Sequence, residues 1–408
     1  MKDAALLTHP LILLLVNSLL TNATAAYTHS RTARFLAFII CASLCYIALS
    51  NWNKHISTTG WAGRTLAGAS FTAPNVFFDR LIVRNWQYGE DDLRPKDLNR
   101  KDGKDEKKQT RWEWAKEVSG NARYVGTKYE VSNVPFFDTK DPVLGPPRWV
   151  FCLQHAGIIL TFYILNYFVA EGLLNANREL LDYSHVPWFG RMFNGGIQQP
   201  REEITTRVTV SLLYWGAQFC FLQFFYSIAA LLDVGLSGGE VRLWRPIFGE
   251  GRHACTLRGF WGKFWHQNIQ LNLKGPAEFI THTILHIPRS TLFARYLKIF
   301  LSFTVSGAMH VASDYGGDVS PAQSGAMTFF WTQVLGIMIE DGVQEIWRIM
   351  GGKKGSLFAR TIGTFWTVGF ICWSSPVWVY PVVKNMHRED MLLSLGAMKP
   401  LVEGLKFW

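Results

Sequence analysis

The chain alternates long apolar stretches with shorter polar ones, and this pattern predicts its secondary structure. A membrane-spanning helix needs roughly 17–25 predominantly apolar residues. Stretches of that kind lie at 149–171, 208–233, 291–313, 325–347 and 361–383. We therefore interpret each of these stretches as a candidate transmembrane helix.

Three further stretches are less regular. Residues 35–50 form another apolar run, whereas 6–20 is short for a span and must extend past Asn17 and Asn22 or lie obliquely. The stretch 65–83 is weaker because a proline and two charged residues interrupt it, which suggests a re-entrant or interfacial segment. Counting these with the clear stretches predicts about seven to nine spans.

The apolar stretches predict helices and not strands. Lipid offers no hydrogen-bond partners to the backbone, so a span must satisfy its own amides and carbonyls. The stretches are also too long, and alternate too little, for the strands of a membrane barrel. The expected fold is an all-α, polytopic transmembrane helical bundle.

The organisation of the chain favours a single domain. Nothing repeats at a fixed period, and no linker separates two classes of composition. We predict one membrane domain over residues 1–408, with hydrophilic loops at about 51–148 and 235–290. The second loop is richer in basic than in acidic side chains, so the positive-inside rule assigns it to the cytoplasmic side.

Charge changes this picture little. Charged residues make up 18% of the chain, against about 25% in a typical soluble domain. The net charge of +10 comes from basic residues spread over short loops, and the highly charged run 90–117 balances acidic with basic side chains. A balanced run is typical of a solvated loop. We therefore exclude a nucleic-acid-binding function and expect the lipid bilayer as the chain's surroundings.

The most informative polar residue is His310, near the C-terminal end of an otherwise apolar segment. An ionisable side chain at membrane depth is a candidate functional residue, and histidine, with an unperturbed pKa of about 6.5, can accept a proton near neutral pH. The small residues 306–308 before it would allow close approach by a neighbouring helix or a substrate. A structural histidine bonded to a helix carbonyl explains its position equally well.

A second cluster is the aromatic and basic stretch RGFWGKFWHQN at 258–268. Its two tryptophans fit interfacial anchors, and its basic side chains fit ordinary loop charge. This interpretation leaves out the polar run 266–268, which suits the hydrogen-bonding needs of a reacting carbonyl.

Together the two segments resemble a known signature. RGFWGKFWHQ and SGAMH, roughly forty residues apart, resemble the paired blocks of the membrane-bound O-acyltransferase superfamily in its wax-synthase-like branch. WAGR at 61–64 and DRL at 79–81 also resemble fungal members that acetylate terpenoids and meroterpenoids. The resemblance is strongest over 255–350.

The resemblance implies catalytic roles for two histidines. His310 would remove the proton from an acceptor hydroxyl as that oxygen attacks the thioester carbon of acyl-CoA. His266, which stands where many relatives have asparagine, would donate to the thioester carbonyl or act as a second base. The other candidates for contact with substrate or CoA are Trp261, Trp265, Asn268, Arg258 and Lys263. No bound cofactor and no metal are implied, and acyl-CoA is the co-substrate.

The expected function is therefore transfer of an acyl group, by resemblance acetyl, to a hydroxyl of a hydrophobic secondary metabolite such as a terpenoid. The enzyme would lie in the endoplasmic reticulum membrane. A long-chain-alcohol (wax) acyltransferase would use the same residues. A transporter of hydrophobic metabolites is the alternative from another class. A desaturase, suggested by the pair His282 and His286, lacks the further histidine boxes.

His310 and Asp314 also spell HxxxD, a motif of soluble CoA-dependent acyltransferases. Helical spacing of four would put both side chains on one face, where Asp314 would orient the imidazole. Because the soluble fold is absent, we favour a chance match. We interpret the run 314–317 as a helix end with glycine at its C-cap.

Overall fold

The structure, a computed structural model, describes residues 8–56, 61–95, 109–138, 145–196, 200–353 and 355–387. Every regular element in these ranges is a helix, so the predicted all-α class is confirmed for them.

The α-helices are α1 (Pro10–Tyr27), α2 (Arg31–Ser50), α3 (Trp52–His55), α4 (Trp61–Phe77), α5 (Arg111–Gly120), α6 (Arg148–Leu174), α7 (Trp188–Phe193), α8 (Pro200–Leu231), α9 (Leu257–Gly259), α10 (Gln270–Glu278), α11 (Leu292–Tyr315), α12 (Ala326–Ile349), α13 (Leu357–Ser374) and α14 (Pro376–Lys384). Wider π-helical turns follow four of them, at Phe78–Val83, Leu232–Ser237, Phe260–Phe264 and Phe279–Ile284. Short 3₁₀ turns lie at Glu179–Leu181, Tyr183–His185, Val241–Leu243 and Gly251–Cys255.

Five helices in the described ranges are long and apolar enough to cross a membrane: α1, α2, α6, α8 with its π turn, and α11. A sixth is the pair α13 and α14, which is bent by 50° and counts if both halves form one span. The bend falls where Pro376, lacking a backbone donor, begins α14. The predicted count of seven to nine spans is therefore not confirmed. Helix α12, which carries Gln333, Glu340 and Asp341, is not among the five.

Helix α1 shows how the short stretch at 6–20 is accommodated. The helix continues beyond it to Tyr27 and therefore includes both asparagines. Asn17 donates to the Cys45 sulfur of α2 at 3.0 Å, and Asn22 donates to the Ser18 carbonyl at 2.9 Å. The polar side chains are thus accommodated by bonds within and between the two helices.

The weak stretch 65–83 is helix α4 followed by its π turn, and its charged residues are buried. Arg84 donates to the Asp79 carboxylate at 2.9 Å, and Arg80 bonds both Asp79 and Asn272 of α10. A Cβ on Gly275 would lie 1.7 Å from an oxygen of Asp79, so only glycine fits beside this network. The interruption in the apolar pattern is a polar joint between α4 and α10.

Helix α11 positions the site, because it packs against α4, α10 and α12. It begins after Thr291, whose Oγ1 accepts from the Ala294 amide at 3.1 Å, and it ends at Tyr315 with Gly316 as its C-cap, as predicted. The backbone of Gly316 is right-handed, with φ of −67°. Its glycine is required by packing, because a Cβ there would lie 2.4 Å from the Cβ of Ala67 in α4.

Candidate active site

A cavity of about 680 Å³ follows α11 through most of its length. Its lining includes α11 side chains from Arg295 to Asp314. At 1.5 Å per residue, those positions are about 28 Å apart along the helix axis. The other walls come from α4, α8, α10 and the segment 258–270, with two residues from α12 and one from α14. The cavity is therefore elongated and joins two chemically different ends.

His310 lies on the wall of this cavity between two aromatic side chains. Its ring is parallel to Phe330, with centroids 4.9 Å apart and planes 4° apart, and its centroid is 4.8 Å from that of Trp378. No hydrogen bond joins the imidazole to any residue that the structure describes. The described residues therefore provide no carbonyl bond of the kind that a structural histidine would make, and among them the ring packs between Phe330 and Trp378.

The small residues before His310 have the predicted effect. Ser306 and Gly307 are buried where α11 crosses α12. A Cβ on Gly307 would lie 2.7 Å from the Met327 sulfur and 3.2 Å from its Cα. The glycine therefore lets α12 approach closely enough to place Phe330 against the imidazole.

Asp314, one turn beyond His310, is buried and accepts hydrogen bonds from three side chains. Arg64 of α4 donates at 3.0 Å, Trp378 of α14 donates through Nε1 at 2.9 Å, and Ser324 donates at 2.7 Å. Its carboxylate makes no bond to His310 among the described residues. A direct Asp–His pair, as the HxxxD motif would imply, is therefore absent from this part of the chain.

The segment 258–270 reaches the cavity because of its unusual backbone. Thr256 caps α9 by accepting from the Gly259 amide at 2.8 Å, and the π turn Phe260–Phe264 follows. The turn directs Trp261 and Trp265 to the wall.

His266 follows this turn and also lines the cavity. Its Nδ1 is buried and has no hydrogen-bond partner among the described residues. Burial lowers the pKa of His266 to about 4, so the imidazole is neutral at pH 7. A neutral ring can donate from one nitrogen and accept at the other, which suits it to contact a carbonyl.

The cavity brings together most of the predicted site residues. His310, His266, Trp261, Trp265 and Arg258 line it. Arg258 is also paired with Asp341 of α12, its Nε lying 3.2 Å from Oδ1.

Two predicted contacts lie away from the cavity wall. Lys263 is exposed, and Asn268 is partly buried two residues beyond His266. Gln267, not singled out from the sequence, lines the cavity instead and donates to the Trp265 carbonyl at 2.6 Å.

The sequence interpretation missed the cations of α10 and α11. Lys274, Arg295 and Lys298 line the cavity at the end away from His310. Arg295 and Lys298 are three residues apart, so they lie on one face of the helix. This spacing is the sequence signal that could have identified them. Within the described residues, no group of three or more His, Cys, Asp or Glu side chains is arranged to hold a metal ion.

Comparison with known proteins gives a consistent set of relatives. A family model described as "Membrane bound O-acyl transferase family" matches residues 244–332. The chain is 34% identical over 277 residues to acetyltransferase fsoF of Humicola fuscoatra, covering 64% of this chain and 65% of that protein. It is 33% identical over 300 residues to acetyltransferase pyr8 of Aspergillus fumigatus, covering 68% and 66%.

A third relative, acetyltransferase ataH of Aspergillus terreus, is 33% identical over 211 residues, covering 51% of this chain and 70% of that protein. The chain thus spans slightly less than two thirds of the length of fsoF and of pyr8. No solved structure matches it. The family model includes both His266 and His310.

Proposed function

The chain belongs to the membrane-bound O-acyl transferase family, and from that premise we propose that it transfers an acetyl group from acetyl-CoA to a hydroxyl of a hydrophobic acceptor. The observation that carries this proposal is that His310 and His266 line one cavity whose other end is cationic. An acyl transferase needs a base, a carbonyl donor and a place for an anionic carrier, and this cavity offers all three.

His310 is the base in the proposed reaction. The acceptor oxygen attacks the thioester carbon while its proton passes to an imidazole nitrogen. The new C–O bond forms, the C–S bond breaks, and the proton finally resides on the CoA thiol. Holding both substrates in one cavity makes their encounter effectively unimolecular.

His266 is the donor to the thioester carbonyl. Its ring is neutral at pH 7 and lines the same cavity as His310. A donor held in a site shielded from water stabilises the developing oxyanion more strongly than water-exposed donors do.

The cationic end of the cavity would receive the CoA phosphates. Lys298 lines the cavity and makes no ion pair with any described residue, whereas Arg258 is shared with Asp341. Charge-assisted bonds from Lys and Arg are the usual contacts of phosphates in proteins. This orientation points the thioester along α11 towards His310.

The relatives and the surroundings support a proposal for the acceptor class and the location. The matched relatives are named acetyltransferases, and two of the helices that line the cavity, α8 and α11, are apolar enough for a bilayer. We propose a hydrophobic secondary metabolite, such as a terpenoid, as the acceptor. We also propose a single membrane domain in the endoplasmic reticulum.

The test measures CoA release by membranes that contain wild-type protein, His310→Ala or His253→Ala at matched levels. His253 is the control because it lies in the 3₁₀ turn Gly251–Cys255, off the cavity wall. Acetyl-CoA is supplied with and without pooled terpenoid alcohols. We expect acceptor-dependent release from wild type and His253→Ala, and a loss of about 10²–10⁴-fold in His310→Ala.

Equal release from wild type and His310→Ala would overturn the assignment of the base. A parallel series with palmitoyl-CoA and a long-chain alcohol tests the wax-synthase alternative. Preference for that pair over acetyl-CoA with a terpenoid alcohol would replace the acetyl proposal. Uptake of the acceptor without CoA release, unchanged in His310→Ala, would favour the transporter.

A further inference from the structure

We propose that Asp314 and Trp378 are a positioning pair that fixes the orientation of the His310 imidazole. The inference rests on the proposed function of His310 and extends it to two residues that act through His310. It differs from the HxxxD interpretation, because the carboxylate acts through an indole and not by bonding the histidine.

The first step is that the His310 ring depends on its neighbours for orientation. It makes no hydrogen bond with any described residue, so no polar contact there sets its side-chain torsions. Phe330 covers one face in a parallel stack, and Trp378 packs at an angle of 50°. A change in the position of either aromatic ring therefore changes the direction of the imidazole nitrogens.

The second step is that Trp378 has a polar tether and Phe330 has none. The Trp378 indole is 3% exposed and donates from Nε1 to Asp314 at 2.9 Å. Packing against Tyr214 and Phe329 fills the space around the indole. The hydrogen bond fixes the indole with its Nε1 edge towards Asp314.

The third step is that Asp314 is itself immobilised. Its other two bonds come from Arg64 on α4 and from Ser324 in the turn before α12. A carboxylate has about four acceptor positions, and three different elements use three of them here. A Cβ on Gly317 would lie 2.3 Å from the Arg64 guanidinium, so glycine at this position lets the arginine reach Asp314.

The fourth step is that the anchor and the base share one rigid helix. Asp314 follows His310 by four residues, so both side chains project from the same face of α11. The Trp378 indole of α14 contacts both of them, because it packs against the His310 ring and donates a hydrogen bond to Asp314. A ring held in this way keeps its nitrogen aligned with the acceptor hydroxyl, and a misplacement of about 1 Å costs a catalytic step on the order of 10²-fold.

The test compares Trp378→Phe with a matched control, Trp331→Phe. Trp331 also carries one indole bond, from Nε1 to Thr304 of α11 at 3.0 Å, but it is 42% exposed and lies off the cavity wall. We expect Trp378→Phe to lower kcat about 10-fold with the KM for acetyl-CoA unchanged, whereas Trp331→Phe keeps wild-type values. Equal effects of the two variants would overturn the pair.

A double-mutant cycle tests whether the two residues act through one bond. Asp314→Asn keeps a side-chain oxygen near the indole and removes the charge. Trp378→Phe should lower kcat about 10-fold in the wild-type background and less than 3-fold in the Asp314→Asn background, because the bond is already weakened. Fully multiplicative effects, or losses of kcat that merely track a loss of thermal stability in detergent, would contradict a shared positioning role.

A readout without catalysis separates this proposal from the proposed function. Diethyl pyrocarbonate modification of His310, followed by peptide mass spectrometry, reports how the ring is held, with exposed His29 as the internal reference. We expect the rate of His310 modification to change several-fold in Trp378→Phe and in Asp314→Asn. The rate of His29 modification should stay the same. An unchanged rate would overturn the positioning pair even in an active enzyme. Failure of the acyl-transfer assay alone would overturn only the function.

Discussion

The two ends of α11 line the same cavity, but the charged side chains are more exposed at one end than at the other. At the N-terminal end, Arg295 is 51% exposed, and it shares Asp341 with Arg258. At the C-terminal end, Arg64 and Asp314 form an ion pair whose side chains are 9% and 2% exposed. Exposed cations can exchange their partners for an arriving anion, whereas a buried pair can only hold its surroundings in place.

The comparison predicts unequal energies for similar contacts. Breaking a buried ion pair leaves an uncompensated charge and costs about 3–5 kcal/mol. Exposed pairs are worth about 0–1 kcal/mol, because water and salt screen them. Substitutions in the buried pair should therefore change mainly the free energy of unfolding. Substitutions of the exposed cations should change mainly the binding of an anionic substrate.

The largest effect is expected from Arg64→Met, which leaves the Asp314 carboxylate buried without its cation. We expect the free energy of unfolding to fall by about 3–5 kcal/mol, measured by thermal unfolding in detergent. Arg64→Met combined with Asp314→Asn removes both charges and should recover at least half of the loss. A single variant as stable as wild type would show that the pair is not a structural anchor.

The next effect concerns His266 and pH. Because burial lowers the pKa of His266 to about 4, the unfolded chain takes up this proton first, below about pH 6.5. The stability that the folded chain has with a neutral His266 is therefore fully present above pH 6.5. It is lost progressively as the pH falls towards 4. The loss amounts to about 3 kcal/mol.

The measurement compares wild type with His266→Asn by thermal unfolding at pH 7.5 and pH 4.5. Asparagine does not titrate, so the variant should lose less stability on acidification than wild type does. Parallel pH profiles for the two proteins would contradict a buried neutral histidine.

A smaller effect is expected from Lys298→Gln at the open end of the cavity. Loss of one phosphate contact should raise the KM for acetyl-CoA about 10-fold, or roughly 1.4 kcal/mol, with kcat unchanged. The increase should shrink as salt is added, because screening already weakens the contact in wild type. A fall in kcat at unchanged KM would assign Lys298 to another role.

The smallest effect is expected from Asp341→Asn, the counterpart of Arg64→Met at the open end. Its partners are partly exposed, so the free energy of unfolding should change by about 1 kcal/mol or less. Tyr296 donates to Asp341 at 2.8 Å and can keep a bond to the amide oxygen. A loss as large as that in Arg64→Met would erase the distinction between the two ends.

The sequence was most informative where one local pattern was enough. Apolar runs located α6 and α11 closely, because burial in lipid depends on composition over some twenty residues, whereas α8 begins eight residues before its predicted stretch. The small residues before His310 predicted the close contact with α12. The stretch 361–383 was less well predicted, because it is divided into α13 and α14 where Pro376 begins the second helix.

The rest of the site depends on contacts between distant positions. Asp314 bonds Arg64 and Trp378, which are 250 and 64 residues away in the chain. The spacing of HxxxD correctly put Asp314 on the face of His310, but it could not reveal that an indole from α14 lies between them. For the same reason, the sequence did not single out Lys298, because the cavity beside it is formed by several helices.

The place of Trp378 in the chain has a consequence in time. Ribosomes add about 5–20 residues per second, so the 64 residues that separate Asp314 from Trp378 take roughly 3–13 s to synthesise. During that interval the histidine, its carboxylate neighbour and the arginine already exist, but the side chain that connects them does not. If the proposed mechanism holds, the nascent protein lacks the Trp378 contacts to His310 and Asp314 until α14 inserts, and completion of the candidate site is a late event of biogenesis.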